Sequence, residues 1–170
     1  YIPIGEYEKA EQYLLEWYRK SGGMELTIID PYFNPSGLVL IKKLTDENTN
    51  LRIRILTHLG KNKKEDYDFE WHHVSGGIQT PVHIDFVSYE DKPADCPLHD
   101  RYWICSDEEK NRRCGITLPS IGTLGRKESS ITPIQESLIS EILLRQIRYS
   151  FEVEKTEGGR RFAFEHLKLE

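Results

Sequence analysis

"MELTIIDPYFNPSGLVLIKKLTDENTNLRIRILTH", residues 24–58, is the stretch whose reading decides the fold. Its first part, "MELTIIDPYF", reads as a β-strand that ends at Asp30-Pro31. "NPSGLVLIKKLTDE" then supplies an N-cap residue, a proline near the first turn and an apolar helix. "LRIRILTH", from Leu51 to His58, is a second strand. A helix between two strands predicts parallel pairing through a right-handed crossover, and with it an α/β domain.

Upstream, "EYEKAEQYLLEWYRKSGG" sets Tyr7, Ala10, Leu14, Trp17 and Tyr18 at helical spacing, and Gly22-Gly23 stops that helix. Downstream, residues 59–80 are polar without a clear period and read as a long surface loop with at most one short helix. "PVHIDFVS" alternates Val82, Ile84 and Phe86 against His83 and Asp85 as a third strand. "LHDRYWI", Leu98 to Ile104, is the fourth and "RCGITLP" the fifth. "ITPIQESLISEILLRQIRYS" places Ile134, Leu138, Ile142 and Ile147 on one helix face. "FEVEKTEGGRRFAFEH" closes the chain as a β-hairpin turning at Gly158-Gly159. The expected architecture is α/β: a mixed, mainly parallel sheet flanked by helices, with a C-terminal hairpin and residues 1–170 as a single domain.

Composition narrows the function classes. The chain has 170 residues, 38% of them hydrophobic and 30% charged, which is globular rather than disordered. No apolar run approaches the roughly 18 residues of a membrane span and no basic-then-apolar segment opens the chain, so a cytoplasmic soluble module is expected. It begins at Tyr1 and its only methionine is Met24, which reads as a piece excised from a longer protein. Cys96, Cys105 and Cys114 are odd in number, so no disulfide framework is expected. A zinc site sketched from Cys96, His99, Cys105 and Cys114 lacks knuckle spacing, and adjacent His72-His73 point apart, so neither reads as a metal site. A formal charge of -5 argues against a surface built throughout to grip nucleic acid. Local cations remain, at Lys61, Lys63 and Lys64 and at Arg112, Arg113, Arg126 and Lys127. Solvated surface charge is their ordinary role.

The chemistry centres on His99 and Arg101. Period-2 alternation in "LHDRYWI" projects both to one face, together with Trp103, where the pair can hold one anion. Neutral imidazole can attack phosphorus while a guanidinium binds the non-bridging oxygens. "GITLPSIGTLGRKESSITPI" gathers Ser120, Gly122, Thr123 and Gly125, whose hydroxyls and backbone N–H groups suit an anion. Asp30 is an acid at a strand's carboxyl end, where open α/β sheets place ligands, or a turn aspartate. Tyr32 and Trp103 line such a pocket or pack in the core. His99 equally serves as a structural histidine bonded within the sheet.

The order β–α–β, then "HDR", then a segment bearing glycine and serine resembles the phospholipase D superfamily, with its H-x-K-x4-D and G-S-x-x-N pattern. "LTIIDPYF" resembles that family's first strand, and "SIGTLGRKESSITPI" the segment after its motif. The resemblance spans roughly residues 24 to 148 and implies a PLD-like fold. It places His99 on the nucleophilic histidine, Arg101 on the phosphate-binding lysine, Ser120 on the serine and Thr123 on the asparagine. Ser106 stands where the family has aspartate, and Asp107 lies one residue late. Arginine is not interchangeable with the family's lysine. The family's catalytic unit uses two motifs and this chain carries one, so a complete site needs a homodimer or the remainder of a longer protein. Glu128 either hydrogen-bonds a histidine of that second motif or pairs with Lys127. The H-D-R form also resembles the PLD-like C-terminal domain of MIT-domain proteins, a membrane-binding module.

Two functions follow as expectations, neither with a cofactor. The first is a binding or effector module that recognises a phosphate-bearing ligand, a phospholipid head group or a nucleic-acid backbone, through His99, Arg101, Ser120 and Thr123, with Arg126, Lys127, Trp103 and Asp30 as further binding residues. The second is a metal-independent phosphodiesterase or nuclease acting as a homodimer through a covalent phosphohistidine. A purely interaction-based role beside other domains of a longer protein is a third.

Overall fold

The computed structural model describes residues 1–76, 80–124, 126, 128, 130–149 and 156–170. Helix α1 (Tyr7–Ser21) buries Ala10, Leu14 and Tyr18 at i, i+4 and i+8 and stops at Gly22, whose φ of 61° gives the left-handed cap. Strand β1 (Glu25–Ile29) leads through a 3-10 turn (Pro35–Gly37) into α2 (Leu38–Glu47) and then β2 (Arg52–Thr57). A Cβ on Gly37 would meet the Phe33 ring at 2.7 Å, so only glycine lets that turn close on the ring.

Residues 59–80 do not form the long loop that their polarity suggests. They contain helix α3 (Lys64–Ser75), whose buried side is Tyr67, Trp71 and Ser75 at i, i+4 and i+8. The Asp66 carboxylate accepts the Lys63 N–H at 2.7 Å and Gly76 caps the other end with φ 60°. Then come β3 (Val82–Tyr89), β4 (Tyr102–Asp107), β5 (Arg112–Thr117), a 3-10 turn (Ile121–Thr123), β6 (Thr132–Ile134), α4 (Glu136–Tyr149), β7 (Thr156–Glu157) and β8 (Arg160–Leu169).

The sheet order is β6-β5-β4-β1-β2-β3-β8, with β7 on the outer edge. It is mixed, but not mainly parallel. Only β1 with β2 and β2 with β3 run parallel; β1 with β4, β4 with β5, β5 with β6 and β3 with β8 are antiparallel. The two parallel pairs are those with a helical crossover; β4–β5 is joined by a short turn, whereas β1–β4 and β3–β8 pair strands distant in sequence. The β7–β8 pair turns at Gly158 and Gly159, both at positive φ, as a tight hairpin requires. Residues 151–155 of the first run expected for this hairpin lie outside the described residues.

Helices α1, α2 and α3 cover one face, packing Leu14, Ile41, Leu44 and Trp71 on Leu26, Ile28, Ile53 and Ile84. On the opposite face Ile139 and Ile142 of α4 pack on Ile29, Leu56, Val87 and Ile104. Ile139 replaces the expected Leu138, which is exposed, because Thr132–Ile134 pairs as β6 and the helix starts only at Glu136. The side chain of Ile147 lies outside the described residues. No helix of the described residues is long and apolar enough to cross a membrane.

Candidate functional site

The carboxyl end of β1, the start of β4 and the exit of β5 meet at one edge of the sheet. Proline explains why. Pro31 and Pro119 lie just past the ends of β1 and β5 and cannot donate to a ladder, so β4, held between those strands, finds its first partners at Tyr102, opposite Ile29 and Thr117. The expected strand over Leu98–Ile104 therefore begins four residues late. His99 and Arg101 precede β4, and strand alternation does not govern where they project. Register instead brings Arg101 level with Asp30, the residue after β1.

Asp30 is 2% exposed and collects three donors. Its carboxylate accepts the Tyr32 N–H at 2.9 Å, the Ser120 hydroxyl at 2.9 Å and the Ile121 N–H at 3.3 Å. Burial nevertheless raises the Asp30 pKa above its ordinary value, while these three hydrogen bonds and the positive charge of Arg101 pull the other way. The aspartate is thus both turn residue, through Tyr32, and member of the edge cluster. The 3-10 turns at Pro35–Gly37 and Ile121–Thr123 pack together beside it.

Arg101 is half-buried, with its guanidinium 5.4 Å from the centre of the Tyr32 ring. Its Nε is buried and meets no hydrogen-bond partner among the described residues. With Nε enclosed by the protein, the terminal N–H groups of the fork are the donors left for an incoming oxyanion. His99, two residues before Arg101, is exposed.

Other expected site residues divide. Ser120 is buried and spends its hydroxyl on Asp30, so it holds the cluster together from inside. Thr123 is exposed and donates to the Ser120 carbonyl at 2.9 Å. Arg126 is exposed, its N–H bonded to the Thr123 carbonyl at 3.1 Å. Gly125 and Lys127 lie outside the described residues. Glu128 is exposed and hydrogen-bonds the Tyr1 phenol, which raises the phenol's pKa.

Trp103 does not line the edge. It is buried on the α1 side, edge-on to Trp17 with ring centroids 6.3 Å apart, because the register sends it to the face opposite Tyr102 and Ile104. Ser106 and Asp107 lie at the far end of β4, where Asp107 accepts the Lys110 N–H at 3.1 Å and pairs with its Nζ at 2.9 Å. Arg112 and Arg113 open β5 at that same far end. The four residues of the zinc sketch are split between the two ends of β4, and no cluster of three or more metal-ligating side chains occurs among the described residues. His72 and His73 are exposed on α3.

Three residues join the edge that sequence reasoning did not assign to it. Cys96 is half-buried and pushed up to about 11 by burial, with the nearby Asp30 charge adding to the shift. Tyr67 donates to the Phe33 carbonyl at 2.7 Å, and burial together with the Asp30 charge raises its pKa. His58, just past the end of β2, has Nε2 3.0 Å from the Pro93 carbonyl. The position of His58 at the end of "LRIRILTH" was a readable signal; Cys96 and Tyr67 sat in segments without one.

The arrangement offers an anion a guanidinium set beside an aromatic ring and near a buried carboxylate, with an exposed histidine two residues before it in the chain. No protein-family model and no curated protein sequence matches the chain.

Proposed function

We propose that the Asp30–Arg101 edge is the ligand site of a phospholipase D-like binding module, and that its ligand carries a phosphate ester, as in a phospholipid head group or a nucleic-acid backbone. The observation that carries the reading is the half-buried Arg101 guanidinium at the sheet edge, beside Asp30 and 5.4 Å from the centre of the exposed Tyr32 ring. The phospholipase D resemblance supports it independently, since "HDR" and the Ser120 segment converge on the carboxyl end of "LTIIDPYF". Arg101 binds the non-bridging oxygens, and Ser120 and Asp30 hold the wall against which Arg101 is set.

Binding of dimethyl phosphate, followed by calorimetry, tests this. Arg101→Gln should weaken it at least tenfold, about 1.4 kcal/mol, and binding should fall as salt rises. Unchanged affinity in Arg101→Gln sinks the reading.

The exposure of His99 favours a second reading, a metal-independent phosphodiesterase. There a His99 nitrogen attacks phosphorus, the bond to the leaving oxygen breaks, and His99 of a second copy protonates that oxygen. Hydrolysis of bis(p-nitrophenyl) phosphate in the presence of chelator, by a dimer, and abolished by His99→Ala, selects it. An inactive monomer that still binds dimethyl phosphate selects the binding module.

A further inference from the structure

Two thiols face each other at the far end of the sheet. Cys105 and Cys114 are directly paired in the β4–β5 register. Opposed residues of antiparallel strands hold their Cα atoms roughly 4.5–5.5 Å apart, inside the roughly 4.4–6.8 Å that a disulfide spans. Both side chains project to the α1 face, Cys105 buried and Cys114 half-buried. Cys114 opens into a cavity of about 410 Å³ lined by Trp17, Lys20, Arg112 and Arg113, with Glu136 as an acid in the lining. The chain is drawn tight over the buried partner, since a Cβ on Gly23 would lie 3.0 Å from that of Cys105.

The surroundings divide the labour between the two sulfurs. The adjoining Cys105 thiol, Ser21 and the Arg112 charge together hold the Cys114 thiol below its ordinary pKa. Cys105 moves the other way, because it faces the Cys114 sulfur and because it is buried. One thiol is ready to attack and the other keeps its proton.

We propose that Cys105 and Cys114 are a reversible redox pair, with Cys114 the attacking thiolate and Cys105 the resolving thiol, served by a cavity that admits an anionic low-molecular-weight disulfide of the glutathione class. The Cys114 thiolate attacks one sulfur of that disulfide, whose S–S bond breaks and releases one thiolate. Cys105 then loses its proton to the departing thiolate and attacks the Cys114 sulfur. The mixed disulfide breaks and the Cys105–Cys114 bond forms. The balance is two protein thiols oxidised and one small disulfide reduced to two thiols. The cations Lys20 and Arg112 outnumber Glu136 and attract the carboxylates of such a reagent, while Arg113 turns its guanidinium to Ser140 of α4 at 3.4 Å. This inference does not depend on the phosphate reading.

The test is oxidation of the full chain with glutathione disulfide, followed by alkylation, intact mass and peptide mapping. The expected product has Cys105 linked to Cys114, reverts with dithiothreitol, and stops in Cys105→Ser at the glutathione adduct on Cys114. In the reduced chain at neutral pH, Cys114 should be alkylated at least tenfold faster than Cys96, the gain in thiolate being partly offset by lower nucleophilicity. Arg112→Glu, on a strand end in solvent, should slow glutathione disulfide several-fold more than neutral hydroxyethyl disulfide, which feels only the loss of the charge beside the Cys114 sulfur. Cys105 still open to alkylation once Cys114 is fully glutathionylated overturns the pair. Reaction first at Cys96 overturns the assignment of the attacking thiol, and equal slowing of both disulfides by Arg112→Glu overturns the anionic preference.

Discussion

Ser120 donates its hydroxyl to Asp30 at 2.9 Å across 90 residues of sequence, and both side chains are buried. The bond favours ionised Asp30, so Ser120→Ala leaves a buried carboxylate short of a donor. A loss of about 2 kcal/mol is expected at neutral pH, shrinking as acid protonates Asp30. Urea unfolding at both pH values measures it, and a loss that is the same at both would place the bond on a neutral carboxyl.

Asp30→Asn tests the burial of that carboxylate through linkage. The folded value lies above the ordinary 3.8, so the folded state keeps a proton that the unfolded chain has already lost. Stability attached to Asp30 is therefore full below the unfolded value and is lost as pH rises through the folded one. Relative to the wild type, Asp30→Asn should gain ground over that window, on top of a constant cost for the mismatched donors. Unfolding free energies that run parallel with pH in the two proteins would contradict the shift.

Tyr32 acts on the ligand through Arg101, with its ring 5.4 Å from the guanidinium. Tyr32→Leu should weaken dimethyl phosphate binding roughly threefold, the worth of an exposed cation–π contact, and leave stability nearly unchanged because the ring is 65% exposed. Tyr32→Phe should restore affinity. Failure of Phe to restore it would assign the effect to the hydroxyl.

Trp71 is fully buried, and its indole Nε1 has no hydrogen-bond partner among the described residues. Trp71→Ala should cost about 4 kcal/mol, the range for a large aromatic removed from a core. Trp71→Phe should cost only about 1 kcal/mol, since the lost volume is partly offset by removing an unpaired donor. Thermal melts of the two variants decide it; equal losses would show the N–H to be satisfied.

What was legible in the chain was what is local. Residues 24–58 carry their own punctuation: Asp30-Pro31 ends a strand, Asn34-Pro35 opens a helical turn, and the apolar spacing does the rest. Helix α3 was hidden because two aromatics and Ser75 make up its buried side amid charged neighbours, too few apolar residues to show a period. The start of β4 was misplaced because a strand begins where partners become available, and those partners, Ile29 and Thr117, belong to other strands. Antiparallel docking of β4 on β1 likewise has no local signal. Of the site, the residue types at His99, Arg101, Asp30 and Ser120 were readable, but the bond that makes Ser120 an internal brace spans most of the domain.

Strand β1 lies inside the sheet, paired to β2 on one side and β4 on the other. Asp30 extends that strand by one residue, and its own N–H is bonded to the Leu56 carbonyl at 3.0 Å. The anchor of the proposed site thus belongs to a segment whose backbone freedom was surrendered when the chain folded. A ligand arriving there has little of the protein left to order, so a small anion with few contacts can bind without a large entropic penalty.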